Sequence, residues 1–341
     1  MLILMNLNTP RKDIDAVKNK IMSLNCTPHE IPGKSKLAVG ITGPTDQLNK
    51  KEFLLMPSVE EIIRVTKKYK LVSRMMQNDD TIIDFDGFKF GGDSIQIIAG
   101  PCSVESKDQI FDIAGSLQEC GIKFMRAGAF KPRSSPYSFQ GLKEKGLEYL
   151  QEVKKEFGLV IVTELLNIVN MPVILEAADI IQIGARNMLN YALLEVIGKV
   201  NKPILLKRGM AATIEELLLS AEYILSNGNK NVILCERGIR TFETATRNTL
   251  DLNAVPLIKK ESHLPIIVDP SHGIGMWDKV PAMSLGAIAC GADGLIIEVH
   301  NHPDEALSDG FQSITPKALK ELLEKIKQLA PIVNKRLVLN E

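Results

Sequence analysis

From Asp93 onward the chain repeats one pattern: a short, apolar, β-branched run followed by a stretch with helical spacing. The runs span 95–99, 122–125, 159–162, 180–183, 203–206, 231–234, 265–268 and 294–297, which makes eight. They are continuous rather than alternating, as parallel strands buried on both faces must be. Helical spacing is clearest over 104–120, 142–157, 213–226 and 316–330. The segment 93–341 is close to the ~250 residues of a (β/α)8 TIM barrel. A doubly wound open sheet is the competing α/β architecture, and the count of eight favours the barrel.

The first 70 residues follow a different rhythm. A strand over 2–7, a helix over 13–24, strands over 29–31 and 37–41, a weaker helix over 45–55 and a strand over 59–65 give the order β-α-β-β-α-β. That is the order of a small ferredoxin-like α+β domain. Residues 71–92 read as a connector. Within it, Asp86-Gly87 between two apolar runs predicts a β-hairpin, placed to cover the bottom of the barrel.

Composition narrows the function classes. Lys plus Arg and Asp plus Glu are 41 each, so bulk charge does not favour nucleic acid or an anionic membrane. No apolar run approaches the ~20 residues of a membrane span. The start, MLILMNLNTPRKD, has no basic n-region or cleavage site. Five cysteines at wide spacing with no CxxC fit a reducing compartment, and the expected location is cytoplasmic.

In a barrel the C-terminal strand ends converge on one mouth. Here those ends carry Cys102, Arg126, Lys131, Glu164, Arg186, Lys207, Arg237, Asp269, His272, Glu298 and Asp309. Each taken singly is ordinary: a buried thiol, a solvated cation, a structural histidine. Together, five cations (Arg126, Lys131, Arg186, Lys207, Arg237) aimed at one mouth repel one another unless anionic ligands resolve the conflict. Arg forks suit phosphate and carboxylate. Cys102, His272, Glu298 and Asp309 form a mixed thiolate, imidazole and carboxylate set that borderline divalent metals accept. Glu164, Asp269, His300 and His302 are rival ligands. The two histidines between Glu298 and Asp309 read more simply as surface residues. Cations beside a Lewis acid point to a metal-dependent aldolase or synthase acting on phosphorylated substrates.

At this point the residues resemble a family. The stretches IIAGPCSVES (97–106), RAGAFKPRSSPYSFQGL (126–142), IQIGARNM (181–188), PILLKRGM (203–210), LCERGIRTFETATRNTLD (234–251), LPIIVDPSHG (264–273) and EALSDGFQS (305–313) are similar to the 3-deoxy-D-arabino-heptulosonate-7-phosphate (DAHP) synthases. The closest form is type I beta, with an N-terminal ferredoxin-like domain. The resemblance covers the whole barrel in order and extends more weakly through residues 1–92. A sibling family makes 3-deoxy-D-manno-octulosonate 8-phosphate from arabinose 5-phosphate. It typically carries Lys-Ala-Asn-Arg-Ser after the second strand, where this chain has Lys131-Pro132-Arg133-Ser134.

The resemblance implies condensation of phosphoenolpyruvate with erythrose 4-phosphate and water, the first step of the shikimate pathway. It implies one divalent metal ion (Mn, Fe, Co or Zn) on Cys102, His272, Glu298 and Asp309. Arg186 and Arg237, with backbone near Glu164 and Ala185, would hold the phosphoenolpyruvate phosphate. Arg126, Lys131 and Lys207 would hold its carboxylate. Arg133 and Ser134 would receive the erythrose 4-phosphate phosphate. Lys131 would assist proton transfer, and Asp269 would be a supporting or acid–base group. The N-terminal domain implies feedback inhibition by tyrosine or phenylalanine, and the family implies a homotetramer. Two other readings compete with this one: a domain that only supports oligomerisation, and a non-catalytic sensor built on a dead barrel. One local departure stands out: relatives often carry Gly-Arg-Arg after Asp-Pro-Ser-His, where this chain has Gly273-Ile274-Gly275-Met276-Trp277.

Overall fold

The computed structural model describes residues 1–32, 36–45, 48–63, 67–131, 135 and 137–340. It divides into two compact units. One holds 1–80 with 261–263, and the other holds 81–260 with 264–341. The division falls inside the 71–92 stretch, with the hairpin on the barrel side.

In the first unit, strand β1 (Leu2–Asn6), helix α1 (Arg11–Ser23), strands β2 (Thr27–Pro32) and β3 (Lys36–Thr42), helix α2 (Lys50–Leu54) and strand β4 (Val59–Ile63) build one sheet in the order β2-β3-β1-β4. All its pairings are antiparallel. This is the ferredoxin-like arrangement expected. The stripe Ile14, Val17 and Ile21 of α1 meets Ile3, Met5, Val39, Ile41 and Phe53 in one buried core, which is why the helical period of 11–23 matters. The weaker helix is confined to five residues, Lys50–Leu54, capped by the Asn49 side chain on Lys51 N–H at 3.1 Å.

The second unit opens with the hairpin, β5 (Ile83–Phe85) and β6 (Phe88–Phe90). Eight parallel strands follow: β7 (Ser94–Gly100), β8 (Phe124–Arg126), β9 (Val160–Glu164), β10 (Ile180–Ile183), β11 (Ile204–Lys207), β12 (Val232–Glu236), β13 (Ile266–Val268) and β14 (Gly294–Glu298). Each pairs with the next, and β14 pairs with β7 from Gly294↔Gln96 to Glu298↔Gly100. The sheet is therefore closed, and the open-sheet alternative is excluded. A short strand, β15 (Arg336–Leu337), adds to the start of β7.

The barrel helices include α3 (Lys107–Glu119), α4 (Glu144–Phe157), α5 (Met171–Ala177), α6 (Tyr191–Ile197), α7 (Ile214–Ser226), α8 (Ala254–Glu261), α9 (Pro270–Ile274), α10 (Val280–Ala289) and α11 (Pro316–Leu329). Their starts follow ordinary capping chemistry. Ser106 accepts from Gln109 N–H at 3.0 Å, and Thr213 with Glu216 forms a reciprocal capping box.

The hairpin closes the N-terminal end of the barrel. Ile83 and Phe90 pack with Ile98, Phe124, Ile180, Leu205, Ile233 and Ile267, several of them at strand beginnings. Phe124 takes edge contacts from Phe85, Phe88 and Phe90, with ring centroids 4.9–6.2 Å apart. With the bottom sealed by aromatic rings, ligand access is left to the opposite face.

Candidate active site

The parallel register brings the chemistry together. Arg126, Glu164, Lys207 and Glu298 are the last residues of β8, β9, β11 and β14. Cys102, Arg237 and Asp269 lie one or two residues beyond β7, β12 and β13. Ala185 and Arg186 sit in a single turn, Ala185–Asn187, after β10. Gly100 makes the first of these exits possible. Its φ of +146° and its approach to the Arg126 carbonyl, 2.2 Å from where a Cβ would stand, leave room for glycine alone.

These ends surround a pocket of about 220 Å3 lined by Arg126, Lys131, Glu164, Ala185, Arg186, Lys207, Arg237, His272 and Asp309, joined by Gln182, Gly184, Met210, Arg240, Arg247 and Asn248. All five cations expected from the sequence reach it. Two more arginines, Arg240 and Arg247, come from the long loop between β12 and α8. Their signal was in the sequence as three arginines within one loop after a barrel strand. Arg186, Arg237 and Arg240 have no carboxylate partner within 4 Å among the described residues. The Arg126 Nε is buried without a hydrogen-bond partner among the described residues. A wall of this kind is built for anions. Arg133 and Ser134 lie outside the described residues.

One side of the pocket carries the candidate metal centre. One atom each from Cys102, Glu298 and Asp309 lies within 4.8 Å of the others. Cys102 Sγ donates to Asp309 Oδ2 at 3.2 Å. Donors about 2.0–2.3 Å from one ion must approach one another this closely, so the residues fit a divalent cation. Thiol with carboxylates selects a borderline metal over Mg or Ca. The fourth expected ligand, His272, turns Nε2 toward Glu298 Oε1 at 3.6 Å and lines the same pocket. Asp309 is held at φ 54°, a left-handed backbone that Asp tolerates better than most residues. Lys131 Nζ donates to Cys102 Sγ at 3.0 Å and to its carbonyl at 2.9 Å.

Cations and buried carboxylates are paired in detail. Arg126 donates to Glu298 Oε1 at 2.5 Å and Lys207 to Asp269 Oδ2 at 2.5 Å. Asp269 Oδ1 caps α9 by accepting from His272 N–H at 2.9 Å, and its Oδ2 faces His272 Nδ1 at 2.8 Å. Asp269 therefore fixes the position of His272. Burial opposes the charge of Glu298, yet His272 and Arg126 outweigh burial and hold its carboxyl down to about 2. Burial likewise opposes Asp269, and His272 and Lys207 hold it well below the usual carboxylate range. Burial pushes His272 below its ordinary value, against the pull of Asp269 and Glu298. Burial and then the charge of Glu298 push the Cys102 thiol up to about 11.

One expectation changes with the structure. His302 is exposed, but His300 is buried, with Nε2 3.8 Å from Glu105 Oε2 and Nδ1 accepting from His302 N–H at 3.0 Å. It packs as a core histidine, and the surface reading holds for His302 alone. Glu236, the last residue of β12, turns away to Arg208 at 2.7 Å and to Gly238 N–H at 2.6 Å. The residues that the sequence did not single out include Gln312 and Asn248. Gln312 donates to Glu298 Oε2 at 2.6 Å, and Asn248 donates to the His272 carbonyl at 2.8 Å. Both lie inside stretches quoted for the resemblance, but the role of each depends on which partner the fold brings to it.

Comparison with known proteins places the fold and the family. Residues 67–335 match the model of the DAHP synthetase I family, and residues 1–67 match that of the DAHP synthase ferredoxin-like domain. A phospho-2-dehydro-3-deoxyheptonate aldolase of Thermotoga maritima is 51% identical over 330 residues, covering 97% of this chain and 98% of its own. The crystal structure of a Thermotoga maritima DAHP synthase superposes with a TM-score of 0.79 at 50% identity over 99% of both chains. A 2-dehydro-3-deoxyphosphooctonate aldolase of Francisella tularensis is 32% identical, over 70% of this chain and 92% of its own. Among the described residues, no helix is long and apolar enough to cross a membrane. The chain belongs to the DAHP synthetase I family, in the form with an N-terminal ferredoxin-like domain, and is a transferase that carries out an aldol-type condensation.

Proposed function

We propose that the barrel mouth condenses phosphoenolpyruvate with erythrose 4-phosphate and water, releasing 3-deoxy-D-arabino-heptulosonate 7-phosphate and phosphate. The observation that carries this reading is one pocket whose wall of partly unpaired cations meets the Cys102, Glu298 and Asp309 cluster at Asp309, with His272 beside it. Arg186 and Arg237 hold the phosphate of phosphoenolpyruvate, with the backbone at Glu164 and Ala185. Arg126, Lys131 and Lys207 take its carboxylate, and the buried Arg126 Nε supplies an unused donor. Arg133 and Ser134 receive the second phosphate. Cys102, His272, Glu298 and Asp309 hold a divalent metal (Mn, Fe, Co or Zn), which when bound supplies Lewis acidity at the aldehyde oxygen. C3 of phosphoenolpyruvate forms a bond to the aldehyde carbon, water adds at C2, and the C2–O bond to phosphate is released. Lys131 delivers a proton to the former aldehyde oxygen. Asp269 holds His272 in place and pairs with Lys207.

The N-terminal domain takes tyrosine or phenylalanine as a feedback effector, within a homotetramer. The ferredoxin-like match over 1–67 supports this, since such domains fused to biosynthetic enzymes resemble amino-acid sensors. Coupling is then a shift in population between states of different activity.

The test is phosphate release from phosphoenolpyruvate with erythrose 4-phosphate, before and after EDTA, with manganese restored. Turnover that EDTA abolishes and manganese recovers is the expected result. Preference for arabinose 5-phosphate would overturn the assignment of the second substrate. Absence of turnover with either aldehyde would favour the sensor. Tyrosine and phenylalanine added to the full chain test the regulatory role, and light scattering tests the tetramer.

A further inference from the structure

Outside the residues that touch substrate or metal in this reading, one buried side chain links two of the metal ligands. Gln312 is fully buried. Its Nε2 donates to Glu298 Oε2 at 2.6 Å. Its Oε1 accepts from Arg247 Nη1, and the same Nη1 lies 3.4 Å from Asp309 Oδ1. The amide orientation is settled by chemistry: arginine only donates and a carboxylate only accepts. A single arrangement satisfies both neighbours, and glutamine alone among uncharged side chains of this length supplies it.

The other oxygen of Glu298 is taken by Arg126. The carboxylate is thus gripped at both ends, by Arg126 on Oε1 and Gln312 on Oε2, and cannot rotate without breaking a short hydrogen bond. The backbone closes the loop. Gln312 N–H reaches the Asp309 carbonyl at 3.3 Å, and Ser313 Oγ donates to it at 3.2 Å. The turn Gly310–Gln312 therefore sets Asp309 and Glu298 against each other through one residue.

We propose that Gln312 is a positioning residue for metal capture, orienting Glu298 directly and Asp309 through Arg247. The inference rests on the metal-site reading above. Partners that orient metal ligands are typically worth 10–100-fold in affinity.

The test is titration of the EDTA-treated full-length protein with Mn2+ and with Zn2+, by calorimetry and without substrate. Wild type is compared with Q312L, R247M and C102A. The expected result is a Kd raised ~10–100-fold in Q312L and raised less in R247M. Excess metal should return kcat in Q312L to near the wild-type value. R247M covers the case in which Q312L fails to fold, because Arg247 is partly exposed. A Kd within twofold of wild type in the folded variants overturns the proposal. So does a loss of kcat at unchanged metal affinity. An unchanged Kd in C102A removes the metal site itself, a failure distinct from that of Gln312.

Discussion

Arg126 and Glu298 reach across β7 to meet. Their strands, β8 and β14, flank β7 on its two sides, and the side chains touch at 2.5 Å with 6% and 1% of their surface exposed. The residue of β7 at that level, paired with Glu298, is Gly100. Buried Arg126 stays charged because Glu298, together with Cys102 and Asp269, outweighs the cost of burial. The pair serves two ends: it holds a carboxylate of the candidate metal cluster ionised and presents a guanidinium to the pocket.

Replacing Arg126 by methionine leaves buried Glu298 without its closest cation, with His272 and Gln312 facing it. The expected loss is about 3–5 kcal/mol of stability, the usual cost of breaking one side of a buried pair. Urea unfolding of the EDTA-treated protein measures it. The KM for phosphoenolpyruvate should rise in the same variant. An unchanged unfolding midpoint would mean that Glu298 takes up a proton or finds another partner.

Arg186 and Arg237 face the pocket without carboxylate partners among the described residues. Removing one charged donor to a phosphate costs about 1.5–3 kcal/mol, so R186A or R237A should each raise the KM for phosphoenolpyruvate about 10- to 150-fold. Folding should be nearly untouched, since neither arginine forms an ion pair among the described residues. Initial-rate kinetics with the aldehyde saturating gives the answer, and a purely kcat effect would contradict the assignment.

Cys102 carries the pH dependence of metal capture. Its thiol, pushed up to about 11 without metal, is protonated throughout the neutral range. A metal ligand must be the thiolate, so binding expels a proton. With the thiol pKa above the working pH, affinity climbs as pH rises, about tenfold per unit. Zn2+ titrations at pH 6.5, 7.5 and 8.5 should show that slope, and it should flatten in C102A.

Phe90 tests the sealed end of the barrel. It is buried against Phe124, with centroids 4.9 Å apart. F90A should cost about 3–5 kcal/mol, read as a lower thermal midpoint, while kcat well below that midpoint stays near wild type. A large kcat loss in folded protein would give the hairpin a role beyond packing.

The eight strands were legible because parallel strands buried on both faces must be continuously apolar. Predicted and observed positions differ by one or two residues at most ends. Several helices were not legible. In α10 (Val280–Ala289) nearly every residue is apolar, so no stripe distinguishes one face from another. Helices α5 and α6 are seven residues each, too short to establish a period. The predicted helix over 45–55 contracted to Lys50–Leu54 because one turn there buries only Phe53.

The sequence by itself determined the architecture and the kinds of side chain at the barrel mouth. Local periodicity sets the elements, and a parallel barrel brings every strand's C-terminal end to one face. Which cation meets which carboxylate was decided by tertiary structure alone. Cys102 and Asp309 are 207 residues apart and lie 3.2 Å from each other. Arg247 and Gln312 are 65 residues apart and share a hydrogen bond. Such pairings depend on loop paths and on distances of a few ångströms, where electrostatic energies change most steeply, and no pattern along one chain encodes them.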